Sequence, residues 1–204
     1  MNLANKLTLL RIFLVPFLIL FLYINDFTTR VLALFIFSIA TITDIYDGRI
    51  ARRQNTVTTL GIFLDPLADK LIISAALISF VGMRDLNVPA WMVILIISRE
   101  FIITGLRSIA ATQNIIIPAK TSGKFKTTSQ VVCIVTIIVI LIIKSALWEY
   151  YHIMPQALFA HFGIGPILAW FLLKAPYWIT FVTTVTTISS GVAYMYAHKE
   201  LLKQ

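Results

Sequence analysis

Six long runs of mainly apolar residues, separated by short polar stretches, constrain this chain more than any other feature. An α-helix needs about 20 such residues to cross the hydrocarbon of a bilayer. The runs are continuous rather than alternating, which argues against a transmembrane barrel. The sequence therefore predicts an all-α integral membrane protein, a bundle of six transmembrane helices at residues 7–24, 31–46, 61–81, 89–111, 127–147 and 177–197.

The composition favours the same environment. Of the 204 residues, 59% are hydrophobic and 13% are charged, whereas a soluble domain carries about 25% charged residues. We expect one membrane domain over residues 1–204, because no internal repeat, linker or low-complexity tract divides the chain. Residues 148–176 are predicted to be a long connection that lies in the interface or re-enters the membrane, since Gly163, Gly165 and Pro166 break its apolar part.

The formal net charge is +8. In a chain this apolar, such a charge is typical of cytoplasmic loops beside anionic lipid, and nucleic acid is not an expected partner. Ten lysines and arginines fall on one side of the predicted spans and four on the other. This bias predicts a bacterial-type inner membrane protein with both termini in the cytoplasm. The four basic residues on the other side are Arg30, Arg84, Lys144 and Lys174.

Four of the nine acidic residues lie within one 26-residue stretch, at Asp44, Asp47, Asp65 and Asp69. The first two are three residues apart and the last two are four apart, so each pair shares a helix face. If the second and third helices pair, four carboxylates converge at the cytoplasmic end of the bundle. Four anions that close need a cation to stay ionised. Oxygen ligands select a hard divalent ion, and a two-metal site suits phosphoryl chemistry.

The neighbours of the aspartates indicate a phosphate ligand. Gly48 has no side chain, so a ligand can approach the backbone closely there. Arg52 follows on the same helix and can meet phosphate oxygens. We therefore expect a recessed site near the headgroups of the inner leaflet, where a water-soluble metal and a lipid diphosphate both have access.

These residues carry a family resemblance. Residues 44–69 contain every fixed position of the pattern Asp-x2-Asp-Gly-x2-Ala-Arg-x8-Gly-x3-Asp-x3-Asp, which resembles the signature of the CDP-alcohol phosphatidyltransferases. The resemblance extends from Asn5-x2-Thr8-x2-Arg11 to about residue 130. It implies a six-helix membrane fold, usually dimeric, with two divalent cations, Mg²⁺ or Mn²⁺, in a polar cavity that faces the cytosol.

The resemblance also implies roles for single residues. Asp69 would touch the second metal and act as the general base. Gly48 and Arg52 would hold the CDP part of the lipid donor, CDP-diacylglycerol, together with a residue at the position of Thr58. The metal ligands would be Asp44, Asp47, Asp65 and Asp69.

The acceptor must be inferred from residues outside this signature. Arg99 and Arg107 are eight residues apart, so they share a face of the fourth helix. An unpaired arginine at the depth of Arg99 costs about 2.5–3.5 kcal/mol. It should therefore face the cavity, paired with Glu100 of a neighbouring helix or with an anion. Together with Lys124 and Lys126 of the fifth helix, these arginines predict a positive pocket opposite the metals and an anionic acceptor.

Residues 98–101, 105–107 and 123–127 resemble the branch of the family that uses glycerol 3-phosphate. That resemblance implies sn-glycerol 3-phosphate as the acceptor, with its phosphate bound by the four basic residues of the pocket. Several alternatives stay open. The acceptor could be inositol phosphate, serine or phosphatidylglycerol, and the lysines could simply follow the positive-inside bias. A membrane prenyltransferase also uses aspartates and magnesium, but with other spacings. A non-enzymatic transporter would predict inverted repeats or broken helices.

Overall fold

The computed structural model describes residues 3–54, 59–112, 121–160 and 163–197. Within these ranges, the backbone alone is described at residues 3–6, 44–54, 59–67, 69, 108–109, 111–112, 121–126 and 160. The described residues form helices and no strand, which confirms the predicted all-α class. The α-helices are α1 (Leu3–Tyr23), α2 (Phe27–Gln54), α3 (Thr59–Gly82), α4 (Ala90–Thr112), α5 (Thr121–Tyr151) and α6 (Gly165–Ala197), with short 3₁₀ helices at Arg84–Leu86 and Pro155–Ala160.

Two helices extend well beyond their predicted bounds. The prediction ends the second helix at residue 46, but α2 continues to Gln54 and so carries the first half of the acidic motif. The predicted connection at residues 148–176 is wrong in its second half, because α6 begins at Gly165 and runs without a break to Ala197. Pro166 lies in the first turn, where a helix needs no backbone N–H. Its position marks the beginning of a helix rather than an interruption.

Each helix buries one stripe of small or apolar side chains. On α3, Ile72, Ala76 and Phe80 recur at intervals of four residues and are buried. Leu18 and Leu22 form the same pattern on α1. The pairs α1–α2 and α1–α3 pack together, as do α5–α6, α4–α6 and α2–α5. A smaller core of Ile140, Leu158, Ala169, Leu172 and Ala175 joins the end of α5 to the beginning of α6.

The outer faces of the helices are apolar as well. Phe13, Phe35 and Ile94 are each at least 60% exposed, a pattern that suits a lipid environment better than water. Among the described residues, two helical segments are long and apolar enough to cross a bilayer, Thr127–Tyr151 and Gly165–Ala197. The membrane class is thus supported, and the crossing by all six helices stays a prediction.

One polar cluster lies at the end of the bundle where α2 begins. Arg30 donates a hydrogen bond from Nη1 to the carbonyl oxygen of Leu141 (2.8 Å) and another to the hydroxyl of Ser145. Lys144 donates from Nζ to the carbonyl oxygen of Asp85 (2.9 Å). Both basic side chains are buried and belong to helices. Long apolar stems let these side chains pack inside while their charged ends reach carbonyl oxygens.

Candidate active site

The four aspartates lie on two successive helices. Asp44 and Asp47 belong to the C-terminal half of α2, and Asp65 and Asp69 to the N-terminal half of α3. Each pair of aspartates can share a face only if the backbone there is helical, and it is helical at all four positions. The two helices contact each other, and both pack against α1. The side chains of the four aspartates are outside the described residues.

The connection between the two helices is short. Gln54 ends α2 and Thr59 begins α3, so their Cα atoms are at most about 18 Å apart. Asp44, Gly48 and Arg52 succeed one another at intervals of four residues, which places them along one ridge of α2. The side chain of Arg52 is outside the described residues, as is the whole of Thr58.

The donor set at these positions fits a hard divalent cation, because aspartate supplies only oxygen ligands. Among the side chains that the structure describes, no group of three or more His, Cys, Asp or Glu residues could hold a metal ion. The side chains of the four aspartates are not among these, and their metal-binding role stays a prediction.

A polar contact links α3 to α4 immediately after the last aspartate of the motif. The ammonium group of Lys70 forms a hydrogen bond with the hydroxyl of Thr104. The same ammonium lies 5.9 Å from the centre of the Phe101 ring, within the range of a cation–π interaction. Since Lys70 adjoins Asp69 in the chain, these contacts bring the middle of α4 beside the segment of α3 that carries the motif.

Arg99 lies on this part of α4 and has one partner on α4 itself and another on α6. Its Nη1 forms an ion pair with Glu100 Oε1 at 3.5 Å, and its Nη2 donates a hydrogen bond to Ser190 Oγ on α6 at 3.2 Å. Only 13% of its side chain is exposed. The prediction that Arg99 pairs with Glu100 is right, but the placement of Glu100 on a neighbouring helix is wrong. The two residues are adjacent on α4, and the long guanidinium side chain reaches sideways to its neighbour.

Glu100 is in turn held by α5. Gln130 is buried and donates from Nε2 to Glu100 Oε1 at 3.1 Å. Lys126 precedes Gln130 by four residues, so the two positions lie on one face of α5, one turn apart. The side chains of Lys124 and Lys126 are outside the described residues. Their contribution to the positive pocket is a prediction, whereas the backbone brings the N-terminal part of α5 to the same end of the bundle as Glu100.

Arg107 faces α6, as Arg99 does. Its guanidinium carbon lies 5.5 Å from the centre of the Tyr194 ring, and the side chain is exposed. Both arginines therefore contact the same helix, which confirms the prediction that they share a face of α4. An exposed guanidinium keeps several of its five N–H donors available to an anion.

Five residues of this polar network were not predicted from the sequence: Lys70, Thr104, Gln130, Ser190 and Tyr194. A charge inside an apolar run is itself a signal of function, and Lys70 gave that signal beside Asp69. Gln130 and Ser190 are uncharged and lie in long apolar helices, and nothing in their local sequence distinguishes them.

Comparisons with known proteins bear on this site. The profile of the CDP-alcohol phosphatidyltransferase family matches residues 1–185, so the similarity continues past residue 130 and well into α6. The chain is 46% identical over 145 residues to a CDP-diacylglycerol–glycerol-3-phosphate 3-phosphatidyltransferase of Bacillus subtilis, a match that covers 65% of this chain and 74% of that protein. A protein of the same name from Haemophilus influenzae is 34% identical over 179 residues, which cover 85% and 90% of the two chains. Another, from Rickettsia bellii, is 42% identical over 127 residues, with coverage of 62% and 68%.

Proposed function

The chain belongs to the CDP-alcohol phosphatidyltransferase family, and from this membership we propose that it transfers the phosphatidyl group of CDP-diacylglycerol to sn-glycerol 3-phosphate. The products are phosphatidylglycerophosphate and CMP. One observation supports the choice of acceptor: α4, the helix that carries Arg99 and Arg107, contacts the segment of α3 that contains Asp69 through the hydrogen bond of Lys70 with Thr104. The names of the relatives from three bacteria support the same reaction.

The donor binds at the acidic motif in this proposal. Asp44, Asp47, Asp65 and Asp69 hold two divalent cations, Mg²⁺ or Mn²⁺, which neutralise charge on the diphosphate and on the leaving CMP when bound. Gly48 lets the CDP group approach the backbone of α2, and Arg52 and Thr58 contact its polar atoms. The spacing of these positions along the helical backbone supports this arrangement.

The acceptor binds on the opposite wall of the cavity. Arg99, Arg107, Lys124 and Lys126 provide the positive charge that a phosphate monoester requires. Glu100 forms an ion pair with Arg99, and its carboxylate accepts a hydrogen bond from Gln130 of α5. A neutral alcohol would need less positive charge, so this concentration of basic residues favours glycerol 3-phosphate over serine.

The chemical step is a single displacement. The primary hydroxyl oxygen of glycerol 3-phosphate attacks the β-phosphorus of CDP-diacylglycerol and forms the new P–O bond. The P–O bond to the bridging oxygen breaks, and CMP leaves with that oxygen. Asp69 accepts the hydroxyl proton. Most of the rate enhancement would come from the positioning of the two substrates and from the electrostatic stabilisation of the transition state.

We further propose that all six helices cross an inner membrane, that the site and both termini face the cytoplasm, and that the chain forms a homodimer among membrane lipids. The apolar outer faces support the crossing, and the distribution of lysine and arginine supports the orientation. The dimer is an implication of family membership.

A panel of acceptors tests the reaction. Purified protein in detergent micelles is incubated with CDP-diacylglycerol, Mg²⁺ and one of glycerol 3-phosphate, inositol phosphate, serine or phosphatidylglycerol. CMP release is measured, and the lipid product is identified by mass spectrometry. We expect phosphatidylglycerophosphate from glycerol 3-phosphate and loss of activity when a chelator removes the metal.

Three other results of this assay would contradict part or all of the proposed reaction. Faster turnover with another alcohol would transfer the proposal to that acceptor. CMP release without metal would contradict the role of the four aspartates. No CMP release with any acceptor, but transfer of a prenyl group from a prenyl diphosphate, would establish the prenyltransferase alternative.

A further inference from the structure

One turn of α6 supports both arginines of the acceptor wall. Ser190 accepts a hydrogen bond from Arg99 Nη2 at 3.2 Å, and the ring of Tyr194 lies 5.5 Å from the guanidinium carbon of Arg107. The two supporting residues are about 6 Å apart along the helix axis. Neither takes part in the proposed donor site.

Gly191, between these two residues, leaves room for the stem of Arg99. A Cβ atom added at Gly191 would lie 2.9 Å from Arg99 Cγ and 3.1 Å from its Nε. Carbon atoms in contact are normally about 3.5–4.0 Å apart. Because Cγ is close to the backbone of α4, the side chain could relieve this clash only by changing its χ1 rotamer or by moving α4 away from α6. The position of the guanidinium group therefore depends on the absence of a side chain at residue 191.

The burial of the same helix face strengthens this dependence. Gly191 is buried, and so is Thr187, one turn earlier on α6. The Nε of Arg99 is buried without a hydrogen-bond partner among the described residues. A side chain packed this closely has few alternative rotamers, so Arg99 is held in one orientation before any ligand binds.

We infer that residues 190–194 of α6 are a positioning element for the anionic acceptor: Gly191 and Ser190 fix the orientation of Arg99, and Tyr194 fixes that of Arg107. The inference rests on the proposed function in one respect, that these arginines bind the acceptor's phosphate. The positioning residues act through the arginines and do not touch the substrate.

The test replaces Gly191 by alanine and measures both substrates. With Gly191→Ala we expect the KM for glycerol 3-phosphate to rise about 10-fold, equivalent to about 1.4 kcal/mol, while kcat and the KM for CDP-diacylglycerol change less than twofold. Such a split is typical of a lost binding contact to one substrate. Ser190→Ala should have the same signature with a rise of about threefold, and Ser190→Thr should restore most of the lost affinity.

Ser189→Ala is the control on the same turn of α6. Ser189 is exposed, and its hydroxyl donates a hydrogen bond to the carbonyl oxygen of Thr186 on its own helix. This variant should therefore leave both KM values within twofold of the parent. An equal rise for the two substrates in Gly191→Ala would overturn the inference, because it would indicate a general disturbance of the fold.

A double-mutant cycle separates positioning from packing. In an Arg99→Ala background the clash at residue 191 has no partner, so the further change Gly191→Ala should leave kcat/KM for the acceptor unchanged within twofold. Additive losses in the two backgrounds would overturn the inference. If the acceptor panel identifies another anionic alcohol, the same cycle is measured with that substrate.

The melting temperature gives the cycle a second readout that needs no activity. Gly191→Ala should lower the melting temperature by a few degrees when Arg99 is present and should leave it unchanged when residue 99 is alanine. An equal shift in both backgrounds would overturn the contact on which the inference depends. A protein without transferase activity that shows the expected cycle would instead refute the proposed function and leave the contact established.

Discussion

Arg30 and Arg99 are both largely removed from solvent in apolar helices, but their hydrogen-bond partners differ. Arg30, in the first turn of α2, donates to a backbone carbonyl of α5 as well as to the hydroxyl of Ser145, and its neighbour Lys144 donates to the carbonyl of Asp85. Among the described residues, Arg99 bonds to two side chains, Glu100 and Ser190. The first arrangement ties the backbones of helices together, whereas the second holds the guanidinium of Arg99 in one orientation through side chains of α4 and α6.

The two clusters also lie in different parts of the bundle. About 14 residues of α2 separate Arg30 from Asp44, which corresponds to about 21 Å along the axis. Arg99 lies on the part of α4 that contacts the residue after Asp69. A buried charge is therefore not sufficient evidence of a functional site. The partners of the charge and its distance from the acidic motif distinguish a structural role from a functional one.

The largest effect should come from Asp69→Asn. Asparagine keeps the shape of the side chain but cannot accept the proton from the attacking hydroxyl, so CMP release should fall by about 10³-fold. The measurement is single-turnover CMP release with saturating donor and acceptor. Binding of CDP-diacylglycerol, followed by equilibrium dialysis, and the melting temperature should change little.

Asp26→Asn provides the control for this substitution. Asp26 accepts a hydrogen bond from the backbone N–H of Thr29 at 3.0 Å at the beginning of α2, and asparagine is an equally good residue at such a position. Turnover should therefore be unaffected. Retention of more than a tenth of the parent activity in Asp69→Asn would show that another group is the base.

The second-largest effect should come from Arg30→Met, which should lower the stability of the protein without changing its kinetics. Arg30→Met removes the buried charged donor that bonds to the Leu141 carbonyl and to Ser145 and so links α2 to α5. We expect the free energy of unfolding to fall by about 3 kcal/mol. The measurement is chemical unfolding in detergent micelles, combined with kinetics of the folded fraction, in which kcat and both KM values should equal those of the parent. Lys174→Met is the matched control, because Lys174 is exposed on α6.

A rise in the acceptor KM of Arg30→Met, measured on the folded fraction, would remove the contrast between the two clusters. It would mean that the packing at the beginning of α2 is coupled to the basic face of α4. An unchanged KM with reduced stability would support separate roles for the two ends.

Local patterns in the sequence were sufficient for much of this fold. The spacing of Asp44 from Asp47 and of Asp65 from Asp69 has meaning only on helices, and the backbone is helical at all four positions. The beginning of α6 was mispredicted because Gly165 and Pro166 are typical breakers, and only the apolar sequence after them indicates that a helix follows.

Contacts between distant parts of the chain could not be predicted in the same way. Ser190 and Arg99 are 91 residues apart, and their contact depends on how α4 and α6 pack rather than on any local pattern. The ion pair of Arg99 with Glu100 was misplaced for the same reason, since the carboxylate of Glu100 also accepts a hydrogen bond from Gln130 of α5. The helical periodicity of the sequence assigns a residue to a face of its helix, whereas the packing of the helices determines which residues that face contacts.

The smallest effect should come from Tyr194, and it tests whether the side-chain support seen at Arg99 extends to Arg107. A cation–π contact at an exposed site contributes about 0.5–1 kcal/mol, so Tyr194→Leu should raise the KM for the acceptor about two- to fivefold without a change in kcat. Tyr194→Phe keeps the ring and should leave the KM at the parent value. Equal rises in both variants would assign the support to the hydroxyl instead of the ring. If neither variant changes the KM, the position of Arg107 does not depend on α6. The contrast with Arg30 and Lys144, which bond to backbone carbonyls, then holds for Arg99 alone.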